Sequence, residues 1–166
     1  MPVPPSLTLR LPPRWRVQEP PAGLDLVALH ETPDEGFTAT ITLAMDAVEG
    51  ADDVAQVVTA MADGAVERLA AVERDVTVHR RGAIGPASAP GLAQEVRLVT
   101  TVGEGSVRLT QVQVYLPAPD LSDDDRLAVY SLTFTATAAQ APELAPDFEA
   151  LVRSVRPEVP GAAPEG

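Results

Sequence analysis

The chain contains neither cysteine nor lysine. Without cysteine there is no disulfide framework, no thiolate nucleophile and no thiolate metal ligand. Without lysine there is no Schiff-base chemistry, and all 12 cations are arginine. Aromatic side chains make up only 4% of 166 residues, so a core must be built from small and β-branched groups around a few large anchors: Trp15, Phe37, Tyr115, Tyr130, Phe134 and Phe148. Long apolar runs are missing as well, and none approaches the ~20 residues of a membrane span. The opening stretch Met1–Trp15 has no charged n-region, useful apolar h-region or cleavage site, which gives the expectation of a cytoplasmic protein with no membrane insertion. Positive charge is in short supply: 24 acids leave a net charge of −12. Nucleic-acid phosphates and anionic lipid surfaces would repel such a chain, whereas a protein partner offering an apolar or basic segment suits it. The same charge also serves solubility alone.

The patterning implies one domain over residues 7–156, between a Pro-rich tail at 1–6 and a Pro/Gly/Ala tail at 157–166. Leu7, Leu9 and Leu11 alternate with polar residues up to Pro12-Pro13, and Gly23–Glu31 reads as a second strand. Phe37, Ala39, Ile41, Leu43 and Met45 oppose Thr38, Thr40 and Thr42 in a third strand. The period then becomes helical from about Asp52 to Glu73, with Val54, Val58, Met61, Ala65, Leu69 and Val72 in one stripe and an Asp53/Gln56 cap. Strand pattern returns at Asp75–Arg81, Leu92–Val102, Ser106–Leu116 and Leu127–Thr137, with a tight Gly103-Glu104-Gly105 hairpin between the middle pair. The apolar set of Ser106–Leu116 switches phase, from Val107 and Leu109 to Val112, Val114 and Leu116, which suggests a bulge near Thr110–Gln111. A last helix near Pro142–Val155 carries Leu144, Phe148, Leu151, Val152 and Val155 on one side. The fold class is therefore α+β: an antiparallel β-sheet of about six or seven strands flanked by a long helix and a C-terminal helix.

Residues for chemistry are few. His30 and His79 are isolated in sequence, and a metal site needs three or four converging ligands. No serine sits on a nucleophile elbow, and the glycines of Gly82–Gly91 are followed by neither a lysine nor a helix, so the phosphate-loop pattern fails. Asp123, Asp124 and Asp125 lack calcium-loop spacing and read as a turn carrying solvated acids. A carboxylate pair is the one catalytic device the composition supplies freely. The expectation is no catalytic residue, no cofactor and no metal.

The opening strand followed by Leu11-Pro12-Pro13-Arg14-Trp15 resembles the strand–Pro–Trp entry of the PsbP/Mog-like superfamily. Tyr130-Ser131-Leu132-Thr133-Phe134-Thr135-Ala136 and then Phe148-Glu149-Ala150-Leu151-Val152-Arg153-Ser154-Val155 resemble its last strand and last helix, with Val155 standing where an aromatic is usual. The likeness is nearest to the actinobacterial LpqN-like branch. It implies an α/β/α sandwich and a non-enzymatic protein, since members bind a small GTPase, photosystem subunits or secretion effectors.

Two groups of residues are candidates for partner binding. Arg14, Trp15 and Arg16 set a large aromatic between two cations, the composition of a binding hot spot, against the favoured reading that Trp15 plugs the end of the core. Val27, Leu29, Leu127 and Val129 would form an exposed apolar stripe on the sheet if no helix covers them. The leading reading is an adaptor or chaperone for a protein partner, linked to a bacterial secretion or injection system, with a homodimer as a further candidate. The alternative is a small-ligand carrier or enzyme using a pocket between helix and sheet.

Overall fold

A computed structural model of the chain describes residues 7–49, 53–119 and 126–157. In chain order its elements are β1 (Leu7–Thr8), β2 (Trp15–Gln18), β3 (Leu26–His30), β4 (Thr40–Glu49), α1 (Val54–Val72), β5 (Arg74–Ile84), β6 (Gly91–Val102), β7 (Gly105–Pro119), β8 (Arg126–Thr137), α2 (Ala141–Ser154) and β9 (Arg156–Pro157). Seven strands form one sheet in the order β2-β3-β4-β8-β7-β6-β5, with every pairing antiparallel. The remaining two, β1 and β9, pair with each other and bring the two ends of the domain together. The expected tail at 1–6, the acidic turn at 123–125 and all but Pro157 of the tail expected at 157–166 lie outside the described residues, and Pro157 itself pairs with Leu7.

The helices start and stop where their sequences allow. Asp53 caps α1 by accepting a hydrogen bond from the Gln56 backbone N–H at 3.2 Å. Val58 and Ala62 of α1 bury against Leu92, Tyr115 and Val129, while Val66 and Leu69 pack on Val96, Leu98, Val107 and Leu109. Val72, counted in the helix's apolar stripe, is 77% exposed, because α1 has run past the cover of the sheet there. On the opposite face α2 lays Leu144, Phe148 and Leu151 over Ile41, Leu132 and Phe134. One helix on each face gives the expected α/β/α arrangement around an antiparallel sheet.

Three local expectations are corrected. The first strand is only Leu7–Thr8 and lies outside the main sheet. The chain after Pro12-Pro13 turns through a left-handed residue, Arg14 (φ 73°), into β2, an edge strand of four residues, too short to show a period. Third, β7 has no bulge near Thr110: its register with both β6 and β8 is unbroken. Its apolar residues change phase because α1 covers one face at Val107 and Leu109, and α2 covers the other at Val112 and Val114. The bulges occur instead in β5, between Arg74 and Thr77 and between Val78 and Arg80.

Candidate functional site

Trp15 is 5% exposed, with its ring edge-on to His30 at 5.0 Å and to Phe134 at 6.3 Å. Its indole N–H donates to Asp147 Oδ2 of α2 at 3.0 Å, so the side chain plugs the core, and only Arg14 and Arg16 of that group face solvent. Arg14 lies 3.8 Å from Glu31. The stripe expected at Val27, Leu29, Leu127 and Val129 is not bare. Val129 is fully buried beneath α1, Leu127 packs on the same cluster, and Val27 is buried, leaving Leu29 half-buried. The chain's own helix covers Val129, which is the condition under which no exposed stripe forms.

The surface the structure does open lies further along the sheet, on the face occupied by α2. That helix reaches across β8 and ends its cover at β7. Beyond it is a cleft of about 790 Å³ whose lining includes His79, Arg80, Glu95, Arg97 and Arg108 around an apolar end formed by Val112, Phe134 and Ala145. Three adjacent strands supply the charges. Antiparallel register places Arg80 opposite Glu95, which brings their side chains to the same face, and Arg97 follows Glu95 at the next position on that face. Arg80 donates to Glu95 Oε1 at 3.0 Å, Arg97 lies 3.3 Å from Oε2, and the His79 ring lies 3.8 Å from Oε2. Burial pushes the Glu95 carboxyl up, but the Arg80 hydrogen bond and the charges of Arg80, Arg97 and His79 outweigh it and hold the group below its usual range. Glu95 is thus kept ionised at neutral pH, with its lone pairs directed at cations. Arg108 has no carboxylate partner among the described residues. The arrangement can hold an anion: one carboxylate orders two arginines, and a third arginine stands unpaired beside them.

On the α1 face a second cleft of about 720 Å³ runs between Met61, Leu69 and Val72 of the helix and Gln111, Gln113, Ser131 and Thr133 of the sheet. Its glutamines are fixed rather than free. Gln94 Nε2 donates to the Ala62 carbonyl at 3.1 Å and to Gln113 Oε1 at 2.6 Å, and Tyr115 donates to the same Gln113 oxygen at 3.0 Å. Burial pushes the Tyr115 hydroxyl up to about 12. This network ties α1 to the sheet, and Arg81 extends it by bridging Gln94 and Asp63. It reads as a structural clamp.

Arg80, Glu95, Arg97 and Arg108 were not singled out from the sequence. A signal was there: Glu95 and Arg97 take successive positions on one face of a strand where apolar residues would be expected, and His79-Arg80-Arg81 stacks cations in the neighbouring strand.

No family model matches the sequence, and no curated protein does either. Solved structures do match in shape. LpqN of Mycobacterium tuberculosis, involved in cell envelope biogenesis, is 15% identical with a TM-score of 0.68, covering 93% of this chain and 84% of its own. A Pseudomonas aeruginosa protein of unknown function is 18% identical with a TM-score of 0.59 over 92% of this chain and 98% of its own. The Ran-binding protein Mog1p of Saccharomyces cerevisiae is 14% identical with a TM-score of 0.56 over 90% and 89%. Element order, the antiparallel sheet, the two flanking helices and these likenesses agree: the chain has the PsbP/Mog-like fold, with LpqN among its structural relatives.

Proposed function

We propose that this chain is a non-enzymatic protein-binding module, acting in the cytoplasm as an adaptor or chaperone for a protein partner, in the setting of a bacterial secretion or injection system. One observation carries the reading. The helices cover only part of each sheet face, and the open part on the α2 side is a broad cleft of pre-oriented charges in which the central carboxylate is already committed to arginines. Groups held this way recognise; a general base would need a proton to take and a carboxylate not clamped by cations. A relative of the same fold, Mog1p, is a Ran-binding protein, which supports protein recognition on this scaffold.

A second reading, a carrier of a small amphiphilic anion, is favoured by the neighbourhood of Arg97 and Arg108 to the apolar end at Val112 and Phe134. The test that separates them is cross-linking in cells that make the protein, read by mass spectrometry, beside native mass spectrometry of the purified chain. Cross-links from one stoichiometric protein to residues around the cleft support the module. A retained small molecule with no cross-linked protein would replace the first reading by the second.

A further inference from the structure

Helix α1 presents two lines of side chains to the sheet. One, through Val58, Ala62, Val66 and Leu69, packs into the clusters described above. The other, Met61, Ala65, Arg68 and Val72 at i, i+4, i+7 and i+11, overhangs the cleft of about 720 Å³, and none of its members is fully buried. Below it, antiparallel register sets Ser131 of β8 between Ala44 and Tyr115, and Thr133 between Thr42 and Gln113. The Ser131 and Thr133 side-chain hydroxyls have no hydrogen-bond partner among the described residues. Gln113 Nε2 donates to Gln111 Oε1, and Gln111 Nε2 donates to Thr135 Oγ1 at 3.0 Å, which spends one N–H of each amide and leaves the other. An apolar helix line therefore faces a floor of unspent hydroxyl and amide groups, the make-up of a small-molecule site and not of a core.

Two opposite charges line the same cleft without pairing. Neither Arg68 nor Asp46 forms an ion pair among the described residues. The Arg68 guanidinium lies back over Gly64, where an added β-carbon would come within 3.2 Å of Nη1. Its charge reaches the floor: burial raises the Tyr115 hydroxyl, and Arg68 draws it down. Asp46 stands on β4, two strands from Tyr115 and one position further along the same face than Ala44, which shares a rung of the sheet with Ser131 and Tyr115. Strand spacing puts the Asp46 and Tyr115 Cα atoms about 12 Å apart, room for a short ligand gripped at both ends. We propose that this cleft binds a short zwitterion, a free amino acid or dipeptide with an aliphatic side chain. Its carboxylate meets Arg68 and the hydroxyls of Ser131 and Thr133, its ammonium meets Asp46, and its side chain lies against Met61 and Val72. An anion of that size would leave Asp46 unanswered and meet the repulsion of a chain carrying −12. A cation would face Arg68, and a wholly apolar ligand would strip water from the hydroxyls and amides without replacing its hydrogen bonds. A zwitterion has no net charge and offers one group to each partner. The site lies on the sheet face opposite the arginine cleft, so it goes beyond the protein-binding reading and neither depends on the other.

The probes are leucine and leucyl-leucine, each titrated into the full chain at millimolar concentration and followed by saturation-transfer NMR. The controls are N-acetyl-leucine, which lacks the ammonium, and leucinamide, which lacks the carboxylate. Leucine or leucyl-leucine should receive saturation, the stronger of the two giving the length of the ligand, and both controls should bind about tenfold or more weakly. Arg68→Ala and Asp46→Asn, at exposed side chains outside the hydrophobic clusters, should each weaken binding about tenfold with the melting temperature unchanged. The controls use the unaltered chain, so the comparison stands even if a variant folds poorly. No saturation of either zwitterion, equal binding of a control, or undiminished binding in either variant would overturn the proposal. Each of these results leaves the cross-linking test of the protein-binding reading as it was.

Discussion

The face of the sheet that carries α2 is two surfaces in one. Across β4 and β8 it is dry: Phe134 stacks on Phe148 at 5.5 Å, Trp15 closes one end, and Ile41, Leu132 and Leu151 are fully buried. Across the part of β6 and β5 that carries Arg97, Glu95 and Arg80, on the same face, it is open and ionic, whereas Ala93 and Ile84 at their other end still pack on the core. A single strand crosses from one to the other. In β7 the residues facing α2 run Leu116, Val114 and Val112, then Thr110 and Arg108. The change marks where the helix stops. Under α2, water is excluded and only apolar side chains are tolerated; beyond it, water solvates the arginines and lets them be held by one carboxylate. Stability is concentrated in the first half, and the second is the part to which we assign recognition in the proposed function.

Substitutions in each half test that division. The largest effect belongs to the dry half: Phe148→Ala should cost about 3–5 kcal/mol in a urea melt, since the ring is buried and stacked and its loss leaves a cavity. A near-wild-type midpoint would mean that α2 packs loosely and would dissolve the contrast. Trp15→Phe keeps most of the packing but leaves Asp147 without its indole donor, and should cost about 1–2 kcal/mol. In the open half, Glu95→Gln should cost only about 1 kcal/mol at neutral pH, because Arg80 (75% exposed side chain) and Arg97 remain solvated without it.

The pH dependence of Glu95 has a definite sign. A carboxyl held below its usual range in the folded chain stabilises it above the unfolded value near 4.5 and loses that contribution as pH falls through the lower folded value. Wild type should therefore lose more stability than Glu95→Gln on acidification below about 4.5, as followed by thermal melts across pH. Parallel curves would show that the arginines do not hold the carboxylate. Tyr115 gives the opposite sign: its hydroxyl is raised to about 12, so its contribution is intact below pH 10 and lost as pH rises toward 12. The smallest effect is expected of Val72→Ser, within about 0.5 kcal/mol, since the side chain lies past the cover of the sheet.

Much of the architecture was readable because it rests on local periodicity. The alternation of Ala39–Met45, the stripe of Leu144, Phe148 and Leu151, and the Asp53 cap depend on neighbours a few residues apart, and the structure has each in place; Phe37, expected on the same face as Ala39 and Ile41, instead precedes β4 and packs in the cluster under α1. What failed was short or non-local. Trp15–Gln18 is too brief for a period, and the change of apolar phase in β7 looked like a bulge because one strand's sequence does not say which helix covers which part of which face.

The sequence by itself determined the chemistry available: no thiol, no lysine, arginine as the only fixed cation, a large excess of acid and a few aromatic anchors. It also determined which segments bury one side and so where strands and helices run. Only the tertiary structure decided that Val129 is sealed under α1, that Trp15 reaches Asp147, and that Arg80, Arg97 and Arg108 from three different strands share one cleft. The physical reason is that periodicity is a property of one segment, whereas burial and charge clustering depend on sheet order and register, which bring together residues far apart in the chain and stop each helix short of covering the whole face.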